Sequence, residues 1–169
     1  LRAINWIWGL SLFRDSIRIY PEALNTIINS IYVHGQHIEQ NLDYTLENTG
    51  NHYLSDVAGL IYIGAAFPQF PESDRWLLFG IQELNSEMNR EVYPDGGSHE
   101  GSTSYHRLVT ELFISCASII ERIPQERLER LYDVVPTRHK FTPKLNDINK
   151  ILGVITKNDP ILPKCFYAK

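Results

Sequence analysis

Gly50-Asn51-His52-Tyr53-Leu54-Ser55-Asp56-Val57-Ala58-Gly59-Leu60-Ile61-Tyr62-Ile63-Gly64-Ala65-Ala66-Phe67-Pro68 is the segment from which the fold class follows. Leu54, Val57, Ala58, Ile61 and Ala65 recur at spacings of three and four, the period of a helix and not the alternation of a strand. Gly50 opens the pattern and Phe67-Pro68 closes it, because a residue before proline is pushed out of the helical region. The same period returns on both sides. Upstream, Leu24, Ile27, Ile28 and Ile31 follow Pro21-Glu22, a pair suited to a first helical turn. That helix is expected to fade near Gly35, or to continue with a break to about Leu42. Downstream, Ser73-Asp74 reads as an N-cap for a helix carrying Trp76, Leu77, Ile81, Leu84 and Met88. Leu108, Leu112, Cys116 and Ile119 mark another from about Ser102 to Arg122, and a short one covers Gln125 to Val134. The expected fold class is all-α, built from antiparallel helix pairs joined by short loops.

Composition narrows the function classes. A chain of 169 residues fits one domain. Sixteen Lys and Arg against 20 Asp and Glu leave a net charge of −4, which argues against non-specific nucleic-acid binding, since that needs a basic face. The apolar runs stop well short of the ~18 residues of a membrane span. Cys116 and Cys165 are too few for a disulfide framework or a thiolate metal site. Cys116 sits on the apolar helical face and reads as packing. The start, Leu1-Arg2-Ala3-Ile4-Asn5-Trp6-Ile7-Trp8, has no signal-peptide pattern and reads as the interior of a helix from a longer protein. Trp6 and Trp8 would face different ways on that helix, so at least one is expected in the core.

Two polar clusters fall where helices begin: Glu47-Asn48-Thr49-Gly50-Asn51-His52, and the run from Asp95 through Gly96, Gly97, Ser98, His99, Glu100, Gly101, Ser102, Thr103, Ser104 and Tyr105 to His106. Free N–H groups at a helix N-terminus suit an anionic ligand such as a carboxylate. Taken singly, Asn48, Thr49, Ser102 and Ser104 read as N-caps and Asp95-Gly96-Gly97 as a turn. His99 with His106, and His52 with Asp56, have helical same-face spacing, yet no metal-ligand motif accompanies them, so no metal is assigned. The Gly-rich segment lacks the Lys-Ser/Thr of a phosphate loop, and no nucleophile elbow is present.

Gly50-Asn51-His52-Tyr53-Leu54 with Ala58-Gly59-Leu60, Gly64 and Phe67-Pro68 resembles the Gly-Asn-His helix of the heparinase II/III-like polysaccharide lyases. Trp76, Gly80 and Leu84 match that family's next helix. Asp95, Gly96, Glu100, Ser102, Tyr105 and His106 match its Asp-Gly-(Gly)-x-x-Glu-x-Ser-x-x-Tyr-His signature, and Ala3-Ile4-Asn5-Trp6 resembles the start of its helical domain. The resemblance covers roughly residues 1–135 and implies part of an (α/α) toroid there, with 136–169 an irregular or partly helical continuation.

The resemblance implies β-elimination on an acidic polysaccharide containing uronic acid, of heparin, heparan or alginate type. The C5 proton beside the C6 carboxylate is only weakly acidic, so the carboxylate must be neutralised by hydrogen bonds while a base takes the proton and an acid assists the C4 oxygen. Donors preorganised toward developing charge contribute most to such catalysis. Carried over by motif, Asn51 neutralises the carboxylate, and His52 is a second donor or the base. Tyr105 is the acid, with the base role also open to it; a phenol, with an ordinary pKa of about 10, needs a nearby cation to act as base. Glu100 and His106 are implied substrate-contact or supporting residues. Arg107, with Arg2, Arg14, Arg18 and Arg90, is a candidate for anion contacts, and Tyr93, with Trp6 and Trp8, for stacking on sugar faces. No cofactor is called for. A periplasmic or secreted location also follows from the resemblance alone.

The segment Ile155-Thr156-Lys157-Asn158-Asp159-Pro160-Ile161-Leu162-Pro163 approaches a further family pattern, and the chain stops where Gly-Asp is expected. The expectation is therefore an incomplete toroid, completed by a C-terminal part of the same protein or by a self-associated copy. Two other functions compete: a non-catalytic helical carbohydrate-binding domain, and a toroid glycoside hydrolase pairing Asp56 with Glu100 or Asp95.

Overall fold

A computed structural model of the protein describes residues 1–18, 20–44 and 49–134. In that part the order is α1 (Arg2–Leu12), α2 (Arg14–Ile17), α3 (Pro21–Gln40), α4 (Asn51–Ala66), α5 (Ser73–Glu91), α6 (Thr103–Ile120) and α7 (Gln125–Arg130), followed by a 3-10 turn over Leu131–Asp133. Among the described residues the only β-type pairing is an isolated antiparallel bridge between Val92 and Ser98. The expected continuation over 136–169, the Glu47-Asn48 end of the first polar cluster and Cys165 lie outside the described residues.

Helix α4, formed by the Asn51-to-Ala66 run, is the centre of the fold. It packs against α1, α3, α5 and α6, and every residue from Val57 to Gly64 is buried. That stretch is therefore enclosed on all sides, where the three-and-four spacing alone specifies only one apolar face. Helices α4 and α5 run antiparallel. Gly64 meets Ser73 and Leu77, Ile61 meets Gly80, Tyr53 meets Glu83 and Thr49 meets Arg90. The two helices approach closely because each sets a glycine against the other. A Cβ on Gly64 would fall 2.6 Å from the Ser73 carbonyl oxygen and 3.0 Å from the Leu77 nitrogen.

Several boundaries differ from the sequence expectation. Helix α3 continues unbroken through Gly35. That glycine does not end the helix; it makes room for the buried Trp76 ring, whose atoms would lie 2.6 Å from an added Cβ. Trp76 Nε1 donates to Glu39 at 3.0 Å, so α3 and α5 share both an apolar and a polar contact. Ser73 is the first helical residue of α5 and not its cap; its hydroxyl donates to the Pro68 carbonyl. Ser102 occupies the cap position of α6 without a side-chain cap bond, and Ser104 lies inside the helix. In α1 the core residues are Ala3 and Ile4, while Trp6 and Trp8 are 36% and 51% exposed. The expectation of a core tryptophan there is wrong; Trp6 instead packs edge-on against His34 at 5.1 Å.

Arg127 locks the far end of the α4–α5 pair. Its side chain is buried, and it donates to the Gly64 carbonyl at 2.7 Å and to Asp74 at 2.8 Å. One guanidinium thus satisfies a free carbonyl at the C-terminus of α4 and an acid in the first turn of α5. Cys116 is fully buried, and burial pushes its thiol up to about 12, which fits packing and not reactivity. No described helix is long and apolar enough to cross a membrane.

Candidate active site

The N-terminus of α4 lacks a side-chain cap of its own, because its cap residue is Gly50. Glu100 supplies one from 49 residues away: its Oε1 accepts both the Asn51 backbone N–H and the Asn51 Nδ2 amide, each at 2.9 Å. Gly50 makes the approach possible, since a Cβ there would sit 3.2 Å from that same oxygen. These hydrogen bonds hold the Glu100 carboxyl below its ordinary range.

Loop geometry aims Glu100. The Tyr93 N–H donates to the Gly97 carbonyl at 2.8 Å and the Gly97 N–H to Asp95 Oδ1 at 2.9 Å. The Val92–Ser98 bridge closes the turn, and the Ser98 hydroxyl accepts the Glu100 N–H at 3.3 Å. Gly96 and Gly101 take φ of 88° and 61°, a left-handed conformation that costs a residue with a Cβ about 1 kcal/mol or more. Gly101 turns the chain into α6 immediately after Glu100.

His52 is exposed, and its Nδ1 lies 3.0 Å from Asp43 Oδ2. A carboxylate at Nδ1 requires the proton there, which leaves Nε2 with its lone pair whenever the ring is neutral. Asp43 is held in turn: its backbone N–H donates to Asp56 Oδ2 at 3.0 Å. Burial raises the Asp56 carboxyl, and that hydrogen bond partly opposes the shift. The partner of His52 is therefore Asp43, with Asp56 one step behind, and not the i, i+4 pair that the spacing suggested. His99 and His106 do not share a helix face; His99 is in the loop and His106 in α6.

The other candidates are spread along the same end. Tyr105 stands in the first turn of α6 and is 46% exposed. Among the described residues no hydrogen bond or ring contact joins it to Asn51 or His52. Tyr93 is half exposed and stacks edge-on against His99 at 6.4 Å. His106 lines a cleft with Val92, Gly96, Ser98 and Val109; with Arg107 it also borders a shallower depression that reaches Ile114. Arg90, a candidate for anion contacts, is instead engaged below the site, donating to Glu87 at 2.8 Å and Thr49 at 3.4 Å.

Beneath these groups α5 carries a buried row of acids that the sequence reading did not single out. Glu83, Glu87 and Glu91 follow at i, i+4 and i+8 and are 4%, 0% and 0% exposed. The signal was available, since they continue the stripe of Trp76 and Gly80. Tyr53 donates its hydroxyl to Glu83 at 2.6 Å, and burial raises both that phenol and the Glu83 and Glu87 carboxyls. Neither Glu91 oxygen has a hydrogen-bond partner among the described residues. Burial first, then the nearby Glu100 and Glu87 charges, push Glu91 up to about 6. Among the described residues no group of three His, Cys, Asp or Glu side chains is arranged to hold a metal ion.

Among the described residues, packed helix pairs with two polar motifs meeting at one end resemble the helical-repeat architecture of (α/α) toroid folds, here incomplete. The family described as Heparinase II/III N-terminus matches residues 2–138, and the chain belongs to that family. It is 32% identical over 130 residues to a heparin-sulfate lyase of Bacteroides stercoris, covering 73% of this chain and 19% of that protein. A heparin-sulfate lyase of Pedobacter heparinus is 30% identical over 117 residues, 69% of this chain and 17% of the relative. One of Bacteroides thetaiotaomicron is 27% identical over 112 residues, 66% and 16% of the two chains. The chain thus spans less than a fifth of the length of these curated relatives. No solved structure matches it.

Proposed function

We propose that this chain is the part of a polysaccharide lyase that recognises the uronate carboxylate and assists elimination, with Asn51, His52 and Tyr105 as its reacting groups. In the reaction a base removes the C5 proton, the C4–O bond breaks and a C4=C5 double bond forms. The departing oxygen takes a proton, and no water is consumed. Asn51 donates its amide to the carboxylate as negative charge builds on it, His52 offers a donor or an Nε2 lone pair, and Tyr105 protonates the leaving oxygen. His106, Arg107 and Tyr93 are assigned to substrate contacts in this reading, and Glu100 to contact or support. A periplasmic or secreted location, where such polymers are met, belongs to the same proposal.

The observation that best supports the reading is the double hydrogen bond from Asn51 to Glu100, which ties the two motif segments into one locus. The test uses the full-length gene product on heparan-type and alginate-type polymers, following the far-ultraviolet absorbance of the unsaturated uronate. Product is expected from the parent and is lost in Tyr105→Phe at unchanged fold. Parent protein that forms no product on any uronate polymer overturns the proposal.

A further inference from the structure

Resting on that reading, we infer that Glu100 is a positioning residue: it fixes the Asn51 carboxamide so that an N–H, and not Oδ1, faces the substrate carboxylate. A side-chain amide can be turned over at little cost unless its partners decide its orientation. Here one Glu100 oxygen accepts Nδ2 and the backbone N–H of the same residue, both at 2.9 Å. An ionised carboxylate accepts only, so turning the amide over would set Oδ1 against it. Nδ2 has two hydrogens, and Glu100 takes one. The second remains for the ligand.

Glu100 is poorly suited to contact an acidic polymer itself, because like charges repel. Its surroundings suit the positioning role. Its backbone is tied to Ser98, the left-handed Gly101 ends the loop directly behind it, and Gly50 leaves room for its oxygen. Asn51 lies at the start of α4, whose stretch from Val57 to Gly64 is wholly buried, so the amide is referenced to a rigid element.

The experiment compares Glu100→Ala, Glu100→Gln and the parent in the full-length gene product, using a heparan-type or alginate-type polymer that the parent cleaves. A Gln carbonyl oxygen can accept the same two bonds. The expected result is a fall in kcat of about a hundredfold in Glu100→Ala with KM within about threefold, and recovery to within about tenfold of the parent in Glu100→Gln. In parallel, the Asn51 backbone and side-chain amide resonances are followed by NMR as acid is added. They should titrate together below the ordinary glutamate range in the parent, and this titration should vanish in Glu100→Gln. A KM effect without a kcat effect, no rescue by Gln, or no titration overturns the positioning role while the lyase reading stands. A parent that cleaves nothing yet shows the titration overturns the lyase reading, and the positioning role in elimination falls with it.

Discussion

Replacing Glu91 with Gln should stabilise the protein at neutral pH and do nothing at pH 4. The Glu91 side chain is 0% exposed and neither oxygen has a hydrogen-bond partner among the described residues, so burial disfavours its ionised form and nearby His99 offsets this only in part. Its folded pKa is about 6 against an ordinary 4.5. Between those values the native state holds a proton that the unfolded chain has released, so stability falls as pH rises and the whole cost is present above about 6. A rise of about 1.5 in pKa corresponds to about 2 kcal/mol. For a protein of this size that is roughly 4–8 °C in Tm. Gln has the shape of the protonated acid and cannot ionise. Thermal melts of parent and Glu91→Gln at pH 7.5 and pH 4 therefore separate the charge from the shape. The variant should melt higher at pH 7.5, and the difference should close at pH 4. An equal shift at both pH values, or a lower Tm for the variant at pH 7.5, would show that burial does not disfavour a charge there.

Two further substitutions test the packing that presents the site. Arg127→Ala removes a buried guanidinium and leaves the Gly64 carbonyl and Asp74 without it, and should cost about 3 kcal/mol by chemical denaturation; a loss under about 0.5 kcal/mol would show that α7 does not secure the α4–α5 end. Gly64→Ala places a methyl against the Ser73 and Leu77 backbone, which cannot swing aside as a side chain can. It should destabilise by about 1–3 kcal/mol despite the better helix propensity of alanine, and a stabilised variant would contradict the close α4–α5 approach.

Much of the architecture was legible because helical period and breakers are local properties. Pro21, Phe67-Pro68 and the Asp95-Gly96-Gly97 turn all punctuate the chain where the helices do. What escaped were features set by neighbours distant in sequence. Gly35 looks like a helix end until Trp76 is placed against it. Trp6 and Trp8 are exposed because α1 turns its small and aliphatic residues inward. The Asn51, His52 and Glu100 positions stood out as motif residues, but their pairing did not. Nothing local says that Glu100 caps α4, or that Asp43, in a segment with no motif, meets His52. Glu83, Glu87 and Glu91 fall on the buried stripe of Trp76 and Gly80, but glutamate on a helix is usually solvated, so residue type outweighed position.

Whether this chain serves an elimination is decided by weighing the products. Mass spectrometry of a defined uronate oligosaccharide after treatment with the full-length gene product should give two fragments whose masses sum to that of the parent sugar, with Asn51→Ala giving none. Fragments whose sum exceeds the parent sugar by one water would identify hydrolysis and rule the elimination out.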